Sequence, residues 1–248
     1  MKHSIKQITI FSSALLGSLS LAVVPAAALA STGNGGANAS ATSTANTTKL
    51  KLIISRGDTE IARRLTTLNT VTTKLNSAVK LSADDKATLT TEVNNEISGL
   101  NSLKTQLDGE TDVAAAKTDA QSIFNDYRVY ALVVPKVWLV KTADDQLVTE
   151  GKLTTLAGKL QADITADQQA GKNVAALQTK LDDINSKVQA AQAISTDIQS
   201  KVINLQPSDY NTDHSVLSGD RDQLKTAQSD LATAITDGKA IVSGLKSL

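Results

Sequence analysis

The chain has 248 residues, with 25 basic and 25 acidic side chains scattered along it and no basic block, so it carries no feature of a nucleic-acid-binding protein. It has no cysteine, which excludes thiol catalysis, zinc–cysteine modules, haem attachment and any disulfide framework. The length suffices for one sizeable core or two small ones.

The N-terminus has the layout of a secretory signal. Lys2, His3 and Lys6 form a basic start, residues 8–24 are apolar with small polar interruptions, and Ala28-Leu29-Ala30 has the small-x-small pattern of a cleavage site. Residues 1–30 are therefore read as a signal peptide removed after Ala30. The apolar run is somewhat short for a membrane anchor, and Pro25 with the alanines after it favours cleavage. Without Lys2 and Lys6 the mature chain has 23 basic against 25 acidic residues, a charge of −2. The expected location is extracellular, at the cell surface or in the periplasm.

Residues 31–48 are Ser, Thr, Gly, Asn and Ala with no large apolar side chain before Leu50. Such a stretch buries too little surface to offset its ordering entropy, and it is expected to be a disordered linker. Helical spacing of apolar residues begins after it. Leu50, Ile54, Ile61, Leu65, Leu68, Val71, Leu75 and Val79 form one stripe; Leu89, Val93, Ile97, Leu100, Leu103 and Leu107 form a second. Ser82 fits an N-cap with Asp84 and Asp85 in the first turn, and Gly109 suits the C′ position that tolerates positive φ. Thr111 or Asp112 caps a third helix through Val113, Ala116, Ala120, Ile123 and Tyr127.

After Pro135 a long helix is expected through Val140, Leu147, Leu153, Leu156, Leu160 and Ile164, stopping near Gly171. Val174, Leu177, Leu181, Ile184, Val188, Ala191, Ile198, Val202 and Leu205 then keep a 3-4 alternation that only Ser195 breaks, the pattern of coiled-coil packing. Pro207 ends that helix. A last one carries Leu217, Leu224, Ala227, Leu231, Ala234, Ile241, Leu245 and Leu248, with Gly238 as its weak point.

The fold class is thus all-α: an elongated antiparallel helical bundle, coiled-coil-like, in two consecutive three-helix units spanning 49–134 and 135–248. Thr66-Thr67-Leu68 and Thr154-Thr155-Leu156 occupy corresponding places in the two halves, which suggests a duplicated unit. The helices of the second unit would each be roughly 50 Å long.

No residue constellation points to catalysis, a cofactor or a metal. The mature chain has one histidine, His214, in a polar turn, and no G-x-S-x-G, H-E-x-x-H or phosphate loop. Asp84-Asp85, Asp144-Asp145 and Asp182-Asp183 are adjacent in sequence, so neither member of a pair faces the other on a helix. Residues 209–220 place Asp209, Asn211, Asp213 and Asp220 much as in a calcium loop, but His214 stands where glycine is needed and the terminal glutamate is missing; a polar capping turn is the favoured reading. Arg56-Gly57-Asp58 matches an integrin-binding tripeptide yet lies on a helical stripe rather than at a loop tip.

The segment 124–140 is the remaining candidate. It holds four of the five mature aromatics (Phe124, Tyr127, Tyr130 and Trp138), and between Val129 and Val140 its apolar residues occur nearly all round. A buried joint between helical units is one reading. The other is a contact surface for a partner or a membrane built on Tyr127, Tyr130, Val134 and Trp138. The expected function is a non-enzymatic, exported structural or binding protein, monomer or homodimer, whose partner is a macromolecule of the cell envelope or exterior. A membrane-active protein using residues 129–140 is the alternative, and an enzyme with a site assembled across helices comes third.

Overall fold

The computed structural model describes residues 35–248, with side chains from Ser43 onward; the signal peptide expected at 1–30 lies outside the described residues. A boundary after Ala41 sets off the N-terminal residues, and all packing below belongs to the unit Thr42–Leu248. Among the described residues every regular element is helical. They are α1 (Gly35–Ser77), α2 (Ala83–Asp108), α3 (Val113–Asn125), a π-helical turn (Val129–Val133), α4 (Val134–Gln169), α5 (Ala175–Val202), the short α6 (Pro207–Thr212) and α7 (Asp220–Ser247).

Helix α1 starts well inside the stretch expected to be a linker. The sequence from 35 to 48 mixes four alanines with Ser, Thr, Asn and Gly, and once the amphipathic part has nucleated a helix each added residue gains one backbone hydrogen bond. The hydroxyls of Thr47 and Thr48 donate back to the carbonyls of Ser43 and Thr44, 3.0 Å each. Residues 43–49 remain exposed, so this part of the helix has no packing behind it. The caps of α2 and α3 follow the side chains: Ser82 accepts the Asp85 N–H, and Asp112 accepts those of Ala114 and Ala115. Gly109 is right-handed at φ −82°, so α2 ends without the left-handed cap expected there; among the described residues the left-handed glycines are Gly171 and Gly219. Pro207 begins helix α6 as well as ending the preceding chain direction, because its fixed φ and missing N–H suit a first helical position.

Sequential long helices run antiparallel. Asp58 pairs with Lys104 between α1 and α2; Gln161 meets Gln178 between α4 and α5; Lys180–Asp237 and Lys187–Asp230 join α5 to α7. The buried positions obey a 3-4 alternation more strictly than the apolar ones. In α1 they are Gly57, Ile61, Arg64, Leu68, Val71 and Leu75, with Ala78 just after its end; in α4 they include Ala143, Gln146, Glu150, Leu153, Ala157, Leu160 and Ile164. Helix α7 gives Asp220, Leu224, Ala227, Leu231, Ala234, Gly238 and Ile241. Polar residues stand at several of these positions, so a stripe read from apolar residues alone drifts off the seam. Val79 is accordingly exposed while Ala78 is buried, and Leu147 is only partly buried while Gln146 is buried.

Two clusters of buried apolar residues result. One runs through Leu153, Leu160, Ile164, Leu181, Ile184, Leu231 and Ile241 in α4, α5 and α7. The other joins α1, α2 and α3 with the π turn and continues past Pro135 into Val137, Val140, Ala143, Ile198, Val202 and Leu224.

Candidate functional site

The joint between α3 and α4 combines both readings of the aromatic segment. Arg128 adopts a left-handed conformation, φ 40°, which turns the chain out of α3. The π turn that follows adds a residue to the helical period, and this is why apolar residues occur all round it. Val129, Leu132, Val133, Val137 and Val140 face inward and are buried. Phe124, Tyr130 and Trp138 keep 47, 49 and 41 % of their surface exposed.

Of the four residues expected to contact a partner, Tyr130 and Trp138 are thus open to solvent, whereas Tyr127 and Val134 are partly buried and packed against the core. Tyr127 covers Gly99: a Cβ there would sit 2.7 Å from its ring, so the absence of a side chain at Gly99 lets the ring approach α2 closely. Burial raises the Tyr127 hydroxyl above its ordinary pKa, helped by the negative charges of Glu96 and Asp126.

The exposed rings are braced from α1. Arg64 occupies a seam position and is buried; its guanidinium carbon lies 4.5 Å from the Phe124 ring centre and 5.2 Å from that of Tyr130. Arg64 Nη1 also donates to Glu60 Oε2 at 2.8 Å and to the Glu60 carbonyl at 3.0 Å. The Tyr130 hydroxyl lies 3.3 Å from Thr67 Oγ1. A half-open aromatic pair held by a buried cation is pre-ordered for contact, since little side-chain entropy remains to be lost on binding. The apolar stripe misses Arg64 because a charged residue reads as a gap; the 3-4 spacing from Ile61 to Leu68 was the signal that could have found it.

Beneath this surface, α2 meets α4 and the end of α5 through charged groups. Lys136 is fully buried. Its ammonium donates to Glu92 Oε2 at 2.7 Å and to the carbonyls of Leu205 and Ile203 at 2.5 and 3.3 Å. Burial pushes the Glu92 carboxyl up, against the pull of Lys136, and pushes the Glu96 carboxyl up to about 8, with the Glu92 charge adding to it. Three turns nearer the start of α2, Asp144 from α4 stands beside Asp85, both tied to the start of α2 through Ser82. The Ser82 N–H donates to Asp144 Oδ2 at 2.6 Å and Gln199 Nε2 to Asp85 Oδ2 at 2.7 Å. Asp144 is raised to about 6, first by burial and then by Asp85. In a third polar layer the Ser195 hydroxyl donates to Glu150 Oε1 at 2.8 Å, with Gln146 Oε1 as a second acceptor at 3.1 Å. Ser195, which interrupts the apolar alternation of α5, therefore sits in the seam opposite the polar residues of α4.

Each oxygen ligand of the calcium-like stretch is directed elsewhere. Asp209 accepts the Gln206 N–H, Asn211 bridges Arg128 and the Asn125 carbonyl, Asp213 caps Ser215, and Asp220 is buried against Lys201. Among the described residues no group of three His, Cys, Asp or Glu side chains could hold a metal ion. The His214 ring lies 4.9 Å from that of Tyr210, tilted by 42°, beside an open hollow of about 610 Å³ that Ala131, Pro135 and Leu217 help to line. Arg56-Gly57-Asp58 is inside α1, with Gly57 turned toward Leu107 and Asp58 paired with Lys104. Among the described residues no helix is long and apolar enough to cross a membrane. No family model matches the chain, and no curated protein and no solved structure is significantly similar to it.

Proposed function

We propose that the protein is a non-enzymatic, exported helical-bundle binding module that engages a macromolecule of the cell envelope or exterior through Tyr130, Trp138 and the neighbouring Phe124. The observation that carries this reading is the half-exposure of three of the chain's few large aromatics at one joint, two of them braced by a buried arginine. Aromatic residues on a rigid backbone are the usual anchors of binding surfaces. The titratable groups support a binding role over a chemical one. The strongly perturbed carboxyls lie between helices, and His214 stands beside the hollow with Tyr210 as its ring partner. The reading includes two consecutive three-helix units with coiled-coil-like seams, 49–134 and 135–248, and it takes the exposed start of α1 as a spacer.

The alternative, a membrane-active protein, would need residues 129–140 to leave the core in which Val129, Val133, Val137 and Val140 are buried. Trp138 is the chain's single tryptophan and separates the two. Its emission is recorded in the mature protein, alone and after addition of cell-wall fragments or liposomes. A shift with cell-wall fragments that Trp138→Phe removes, together with lost retention in Tyr130→Ala, is the expected result. A shift with liposomes and dye leakage would favour the membrane-active reading, and no shift with either would remove the aromatic surface as a site.

A further inference from the structure

We propose that the contact of α2 with α4 and the end of α5 is a proton-operated clasp, closed while Glu96 and Asp144 hold protons and loosened as they ionise. The geometry starts from α2, where Asp85 and Glu96 are eleven residues apart, three turns, and so lie on one face of the helix. That face meets α4 at Asp144 and Lys136 and α5 at Gln199, and Lys136 in turn binds the Ile203 and Leu205 carbonyls just after α5.

The lower contact contains two carboxyls and one cation. Lys136 has three N–H groups, and Glu92, Ile203 and Leu205 account for all three. Glu96 Oε2 is buried with no hydrogen-bond partner. The charges acting on Glu96 are Glu92 from its own helix and Lys136 from α4, and the Tyr127 hydroxyl in turn feels Glu96. An ionised Glu96 would be a second negative charge sharing a cation whose hydrogens are already committed, so the neutral form is the one that fits.

The upper contact contains two carboxyls and no cation. Asp144 faces Asp85 from α2; Ser82 and Gln199 contribute neutral donors. The nearby lysines are engaged elsewhere: Lys141 with Asp145, Lys201 with Asp220, and Lys86 with the Asn76 carbonyl. Two neighbouring carboxyls can share a hydrogen bond only while one of them holds a proton. Loss of that proton replaces the bond with repulsion between like charges in a largely dry contact.

The sign follows from linkage. Both groups titrate higher in the folded protein than in the unfolded chain, so the folded state binds more protons in the interval between. Their contribution is complete below the ordinary carboxylate range and is lost as pH rises through about 6 for Asp144 and about 8 for Glu96. The clasp is therefore tight in mild acid and weakens toward neutral and slightly alkaline pH.

The test is thermal and urea denaturation of the mature protein from pH 5 to pH 9. The comparison set is Asp144→Asn, Glu96→Gln and, as a control on an exposed turn of α4, Asp163→Asn. The amides mimic the protonated carboxyls. The wild-type Tm is expected to fall across this range, Asp144→Asn to flatten the lower part of the fall and Glu96→Gln the upper part, with the control unchanged. A second measurement needs no variant: unfolding of the wild-type protein in weakly buffered solution at pH 7 should release about one proton or more. A wild-type Tm that is flat or rises from pH 5 to 9, unfolding without proton release, or amide variants that keep the full wild-type slope would overturn the proposal.

Discussion

At the scale of the residue, the charged groups in the seams are the most consequential. Lys136 is fully buried between Glu92 and two carbonyls at the end of α5, so Lys136→Met would leave its carboxylate partner uncompensated in the core. Removing one member of a buried pair costs about 3–5 kcal/mol. The carboxyls of Glu92 and Glu96, already raised by burial, would escape part of that cost by taking up protons. The loss should therefore be smaller at pH 5 than at pH 8, which urea denaturation at the two pH values measures. Trp138 is the opposite case. With 41 % of its surface exposed, Trp138→Ala should lower stability by only about 1 kcal/mol, while abolishing retention on the envelope fraction if the surface acts as proposed.

At the scale of the element, each long helix presents a heptad seam, and the closeness of its neighbours is set by small residues in that seam. A Cβ on Gly57 would collide with the Leu107 side chain, itself fully buried, with Ile123 at 3.5 Å closing the other side. A Cβ on Gly99 would meet the ring of Tyr127, which is only partly buried and can swing outward. Gly57→Ala is thus expected to cost about 1–3 kcal/mol and Gly99→Ala clearly less, because overpacking is costly where nothing can yield. Chemical denaturation midpoints of the two variants test the order; the reverse order would mean that α1 and α2 slide more readily than their packing implies. The start of α1 differs from the rest of its helix. Residues 43–49 are exposed, so amide exchange there should be fast and should slow abruptly beyond Ile61, the first fully buried apolar side chain of the helix.

At the scale of the whole helical unit, the apolar packing does not pause at Pro135. Val137, Val140, Ala143, Ile198, Val202 and Leu224 belong to the same cluster as the core residues of α1, α2 and α3. The distal halves of α4, α5 and α7 have a cluster of their own. A fragment of residues 135–248 would keep the second cluster and expose its share of the first. It should fold in its distal part, melt below the full protein and bind a hydrophobic dye near α4 Val137 and Val140. A fragment as stable as the full chain would mean that residues 135–248 are energetically separate from the rest.

Much of the helical architecture was legible from periodicity, because a 3.6-residue repeat of apolar side chains can be buried in few other ways. The serine and aspartate caps of α2 and α3 were legible for the same local reason: their side chains satisfy N–H groups within three residues. What escaped was the content of the seams. Arg64, Glu96, Gln146, Glu150 and Ser195 occupy inward positions that a hydrophobic pattern treats as interruptions; Arg64 is met by rings, Gln146, Glu150 and Ser195 by one another across α4 and α5, and Glu96 keeps one buried oxygen unpartnered. Adjacent aspartates also concealed the carboxyl pair of the upper contact, since Asp85 meets Asp144 across 58 intervening positions of sequence rather than its own neighbour. The aromatic joint is divided for a similar reason, as the π turn assigns Val133 and Val137 to the core and Tyr130 and Trp138 to the surface. Local spacing determined by itself that this chain forms long amphipathic helices; only the tertiary structure decided which charges those helices enclose, because burial of a charge depends on partners that no local pattern contains.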